Sequence, residues 1–144
     1  MTLKHFIFAK NNIMITIIRT RDFNVKLKAT IHASGRLGFT ADTATALSLS
    51  PSSLAKFARD DEDEKSLYLI ITDTPDEDAF KVIKAGAYYY LPTSLMFDSL
   101  GFDYKRFNIM FDLVRMTDLD ELLDGQVYKL NKRIIMRKEK KTKE

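Results

Sequence analysis

The chain has no cysteine and no tryptophan, and only three prolines and five glycines among its 144 residues. Without cysteine, disulfide bonds, thiolate nucleophiles and Cys-ligated zinc are excluded. The same lack fits a reducing compartment, so a cytoplasmic location is expected. No apolar run approaches the ~18 residues that a membrane-spanning helix needs. Residues 5–18 are apolar in places but are broken by Lys10, Asn11 and Asn12. They also lack a small-residue cleavage site, so neither a signal peptide nor a membrane role is expected. The glycines are scattered at turns and build no phosphate-binding loop. With His5 and His32 as the only histidines, no nucleophile, base and orienting group can be assembled near one another. These absences together read as a non-enzyme with no cofactor and no metal.

What is present suits a folded protein. Hydrophobic residues make up 45% of the chain and charged residues 30%, ordinary values for a globular domain. Ten Phe and six Tyr supply ample material for a core. The net charge of +3 hides a strong division. Residues 1–59 hold nine Lys/Arg and two Asp/Glu, residues 60–128 hold six and sixteen, and residues 129–144 hold eight and two. A polyanion would therefore meet the first third or the tail, not the middle.

Periodicity reads mostly as strands. In 24–33, Val25, Leu27, Ala29, Ile31 and Ala33 alternate with Lys26, Lys28, Thr30 and His32, the pattern of a half-buried strand. Ser34-Gly35 turns the chain into a second strand over 36–39. Thr40 can cap a short helix over 41–47, which Ser50-Pro51 ends. Strands over 54–59 and 67–72 follow, with 60–65 as a charged turn between them. Beyond Pro75 the order returns: strands at 80–84 and 88–91, a helix starting at Pro92 or Thr93 and closed by Gly101, and strands at 107–114 and 127–132. An acidic loop, with at most one helical turn, fills 116–124.

The chain thus repeats itself. Leu47-Ser48-Leu49 is echoed by Leu100-Gly101-Phe102, and Ser66-Leu67-Tyr68-Leu69-Ile70 by Gln126-Val127-Tyr128-Lys129-Leu130. A repeat governs the whole fold, although two β-rich segments can also match by chance. Neither half has enough apolar residues for its own core. The expected class is therefore a β-dominated α+β fold, with two β-β-α-β-β units packed as a pseudo-dimer within one chain. The expected bounds are an N-terminal arm at 1–12, a first unit at 13–72, a linker at 73–78, a second unit at 79–133 and a basic tail at 134–144.

Gly35-Arg36-Leu37-Gly38-Phe39-Thr40, the helix after it and Ser48-Leu49 together resemble the swapped-hairpin family of AbrB-type regulators and MazE-type antitoxins. That family reads Gly-Arg, three strand residues, Pro, a helical turn, then Leu-Gly and an aliphatic residue. Here Thr40 replaces the Pro and Ser48 the Gly. The second half keeps Pro92 and Leu100-Gly101-Phe102 but lacks the Arg after Gly86. Tandem copies in one chain are similar to the MraZ-type arrangement. The resemblance implies a small intertwined barrel that binds DNA with basic residues around the first strand and its turn.

Carried to this chain, those positions are Lys26, Lys28 and Arg36, with His32 beside them. A solvated strand face is the competing reading, since alternating Lys is common edge protection. The tail adds Lys132, Arg133, Arg137 and Lys138 as candidate phosphate contacts, against a merely solubilising terminus. Asp60-Asp61-Glu62-Asp63-Glu64 lacks calcium-loop spacing and reads as a charged turn. Tyr88-Tyr89-Tyr90 could stack unpaired bases, but the expectation is two tyrosines in or near the core and one outside. Phe39 is expected to match Tyr90 and to lie in the core. Asp118, Asp120 and Glu121 have no partner acid on a strand. The functional expectation is a DNA-binding regulatory module, duplex DNA being the favoured partner. The alternative is a protein-interaction module that presents its acidic second half.

Overall fold

Successive residues of a strand point to opposite faces, and this alternation decides what enters the core. The computed structural model describes residues 4–8, 13–17, 26–63 and 66–136. In β3 (Lys28–Ile31), Ala29 and Ile31 are fully buried while Lys28 and Thr30 are not. The same side of the sheet receives Leu37 and Phe39 of β4 (Leu37–Phe39), Leu69 of β6 (Leu67–Thr72), Leu91 of β9 (Tyr88–Leu91) and Ile109 and Phe111 of β10 (Phe107–Arg115). β11 (Gln126–Met136) contributes Tyr128 and Leu130.

Nine strands form one antiparallel sheet in the order β7-β5-β6-β11-β10-β3-β4-β9-β8. Its two ends, β7 (Phe80–Lys81) and β8 (Ile83–Ala85), are separated in the chain by Val82 alone. β7 pairs with β5 (Leu54–Arg59), while β8 pairs with β9. The sheet therefore curls round into a nearly closed barrel, with Val82 buried at the seam. Lys4–Phe8 and Ile13–Ile17, β1 and β2, pair as a separate two-stranded sheet. Part of the segment expected as an N-terminal arm is thus a strand.

Short helices follow two of the strands. α1 (Ala41–Ala46) is capped by Thr40, whose hydroxyl accepts the Thr43 N–H at 3.3 Å. It closes through Leu49 N–H to the Ala44 carbonyl at 2.9 Å, with Ser48 at φ +55°. α2 (Ser94–Ser99) closes through Phe102 N–H to the Phe97 carbonyl at 3.0 Å, with Gly101 at φ +80°. Both are the six-to-one closure that a left-handed residue permits. α2 drives Phe97 into the core, where its ring centroid lies 5.3–6.2 Å from those of Phe57, Phe102 and Phe111.

Several boundaries move from their sequence-based positions. The strand expected from residue 24 begins at Lys28, and Asn24 and Val25 lie outside the described residues. β11 continues through Ile134 to Met136, because β10 pairs with it along its whole length. The tail expected from residue 134 therefore opens with three strand residues. The acidic loop holds a 3-10 turn at Thr117–Leu119 and a single α turn, α3 (Asp120–Leu123). No helix among the described residues is long and apolar enough to cross a membrane.

Candidate nucleic-acid interface

On the outer face of β3 and β4, the sheet is organised around a missing side chain. Gly38 pairs with Thr30 on one side and with Tyr90 on the other. A Cβ at this position would collide with the Tyr88 hydroxyl and with His32 Nε2. Tyr88 thus lies over bare backbone, the close approach that a glycine inside a strand permits.

Above Gly38 the Tyr88 hydroxyl is hydrogen-bonded to His32 Nε2, and the two rings meet edge to face with centroids 5.5 Å apart. Tyr90 stands beside Tyr88, centroids 6.3 Å apart and planes 28° from parallel. The Arg36 guanidinium carbon sits 4.6 Å from the Tyr90 ring centroid, within cation–π range. Arg36 is exposed, and among the described residues no carboxylate forms an ion pair with it. Burial pushes the Tyr88 phenol pKa up, and the positive charge of Arg36 draws it part of the way back.

The turn that carries His32 and Arg36 is held from below. Buried Thr93 accepts the Leu37 N–H at 3.0 Å and donates its hydroxyl proton to the Gly35 carbonyl at 3.0 Å. Gly35 has φ +85°, and a Cβ there would stand 2.5 Å from that of Ser94. Left-handed backbone and close packing both demand glycine at this position. The first residue of the Gly-Arg pair shapes the turn, and the second projects from it.

The other sequence-predicted residues are distributed unevenly. Lys26 is exposed, close to the start of β3. Lys28 is half-buried and pairs in register with Asp112. Arg133 is tied to that same Asp112, Nε to Oδ2 at 2.5 Å. Lys132 holds its ammonium 5.0 Å from the Phe102 ring centroid. Lys132 and Arg133 are therefore strand residues with partners and not part of a free basic arm. Arg137 and Lys138 lie outside the described residues.

The tyrosines reverse the expectation. Tyr89 packs on the core, while Tyr88 and Tyr90 take the outer face with His32 and Arg36. Register is the reason: Tyr89 is opposite Phe39 and Tyr90 is opposite Gly38. Phe39 is in the core as expected, while Tyr90 lies on the opposite face of the sheet. The sequence signal for this arrangement was Gly38 itself, a glycine within an otherwise bulky strand.

Asp60, Asp63 and Asp120 have structural roles. Asp60 accepts the Glu62 N–H, and Asp63 accepts the Ser66 hydroxyl, shaping the β5–β6 turn. Asp120 receives both terminal nitrogens of Arg115, at 2.6 and 2.7 Å, and the Val127 N–H at 3.1 Å. A hollow of about 350 Å3 between α1, β6 and the start of β11 includes Asp73 and Asp124 in its lining and no Lys or Arg.

No protein-family model, curated protein or solved structure matches the chain.

Proposed function

We propose that the protein is a non-enzymatic DNA-binding regulatory module that contacts phosphates through the β3–β4 face. One observation carries this reading: the Arg36 guanidinium lies over the Tyr90 ring, exposed and without a carboxylate partner among the described residues. A guanidinium so fixed loses little further freedom when a phosphate binds it, and its planar fork suits that ligand. Lys26 and Lys28 add charge at the start of β3, and the basic segment after Met136 adds more in sequence. The resemblance to the swapped-hairpin regulators points to the same strand and turn.

The proposal extends to the architecture: two copies of one β-β-α-β-β unit related by an approximate two-fold axis. Three pairs of residues support it through a common spacing. Thr40 and Thr93, Leu47 and Leu100, and Ser48 and Gly101 occupy the same places before, at the end of and just after α1 and α2. The β4–β9 and β6–β11 pairings join each element to its counterpart.

The protein-interaction alternative calls for a contiguous exposed apolar patch in the second half. Leu95, Val114, Leu122, Ile134 and Ile135 are exposed there. They lie on four elements, and the neighbours Ile134 and Ile135 point to opposite faces of their strand. That pattern favours the nucleic-acid reading.

The test is fluorescence anisotropy with random duplex DNA at several salt concentrations, using the full chain and a version ending at Met136. Each phosphate contact contributes about −0.9 to the log–log salt slope. Changing Lys26, Lys28 and Arg36 to Ala should each flatten the slope by about one. An unchanged slope in the triple variant overturns the proposal, as does binding that disappears with residues 137–144 alone.

A further inference from the structure

The same face carries a chemistry that phosphate contact does not require. Duplex DNA shields its base faces, so phosphate contact alone does not call on the π faces of aromatic rings. Two half-buried tyrosine rings lie with centroids 6.3 Å apart and planes 28° from parallel, and the exposed Arg36 guanidinium lies over the Tyr90 ring. Gly38 beneath them removes the side chain that would displace Tyr88 from this position. The His32 hydrogen bond and edge contact hold Tyr88 in place. A platform fixed before binding loses little entropy on binding.

We infer that the Arg36–Tyr90–Tyr88 array is a stacking site for unpaired nucleotides, so that the protein takes single-stranded nucleic acid in preference to duplex. The inference rests on the proposed nucleic-acid binding and adds the ligand class to it. A base lies against the outer surface of this array, while the adjoining phosphate meets the edge of Arg36. Stacking on aromatic rings tolerates any base, because every base has a π face. The site therefore selects strandedness and not sequence.

The experiment compares a deoxythymidine oligomer with a duplex of equal length, bound to the full chain at one fixed salt concentration. Anisotropy of the labelled DNA gives affinity, and the protein's tyrosine emission, undisturbed by tryptophan, gives stacking. The expected result is tighter binding to the single strand, with quenched tyrosine emission. Tyr88→Leu and Tyr90→Leu should each weaken single-strand binding by about tenfold, and by clearly more than they weaken duplex binding. Tyr90→Phe keeps the ring and should retain single-strand affinity. Arg36→Lys keeps the charge and should lose more on the single strand than on the duplex. Circular dichroism of each variant separates misfolding from loss of the platform, and Tyr90→Phe keeps the question answerable if a leucine variant does not fold. Equal affinity for both forms, or leucine variants that bind the single strand like the parent, overturns the inference while leaving phosphate-tracking intact. Absence of binding to either form at low salt overturns both.

Discussion

The Thr93 hydroxyl accepts the Leu37 N–H at 3.0 Å across 56 positions of sequence. The same hydroxyl donates its proton to the Gly35 carbonyl at 3.0 Å, so one buried side chain holds the backbone on either side of Arg36 in the turn that presents it. Thr93→Val keeps the shape and leaves a buried N–H and carbonyl without this partner. The expected loss is about 1–3 kcal/mol, read from urea denaturation, and Thr93→Ser should recover most of it. A valine variant as stable as the parent would show that this bridge contributes nothing.

Gly38→Ala separates the outer face from the core. The atoms that a new Cβ meets are the far ends of Tyr88 and His32, and both can swing outward. Stability should change by less than about 1 kcal/mol, while the ordered Tyr88–His32 contact disappears. Two-dimensional NMR of the aromatic resonances would register the change in Tyr88 with the core methyl signals unmoved.

Acid should weaken the fold through a small set of carboxylates. The guanidinium of Arg115 hydrogen-bonds Asp120 and, with the Val127 N–H, holds its carboxyl below the ordinary value of 3.8. Asp76, through the Asp78 N–H and Lys56, and Asp103, through Arg106, shift the same way. A folded-state pKa below the unfolded one contributes stability that is complete above about pH 5 and is lost as pH falls through the folded value. The urea midpoint should therefore hold from neutral pH to about pH 5 and then drop. Asp120→Asn should lower the midpoint at neutral pH and make the acid drop shallower. A variant with the parent's acid slope would exclude Asp120 from this effect.

Phe97→Ala should be among the most damaging single changes. Phe97 is fully buried and meets Phe57, Phe102 and Phe111. Its removal leaves a cavity that three rigid rings fill poorly. The expected cost is about 3–5 kcal/mol, measured by thermal or urea unfolding. A cost near 1 kcal/mol would mean that the aromatic cluster collapses onto the space.

Much of the secondary structure was legible locally. The 54–59, 67–72 and 88–91 strands stand where alternation and turn residues put them, because each spans a run whose inward side chains are apolar. The short helix after Thr40 was legible from its cap and its Ala content. The end of β11 was not. Ile134–Met136 continue the strand because they pair with Phe107–Ile109 of β10, and a window of sequence contains only one of the two strands. Half of the candidate interface was visible for the same local reason: Lys26, Lys28, His32 and Arg36 share one stretch of chain and one alternation.

By itself the amino-acid sequence determined a β-dominated chain without disulfides, divided by charge, with a basic strand followed by a Gly-Arg turn. Those properties depend on composition and on neighbours a few positions away. Only the tertiary structure decided that Tyr88 and Tyr90 lie outside, that Arg36 rests on one of them, and that Lys132 and Arg133 are engaged elsewhere. Each of those outcomes follows from cross-strand register, which sets residues dozens of positions apart opposite one another. A shift of one residue would have turned Tyr89 outward instead. Register is fixed by the whole barrel closing on its core, a constraint that no local stretch of sequence expresses.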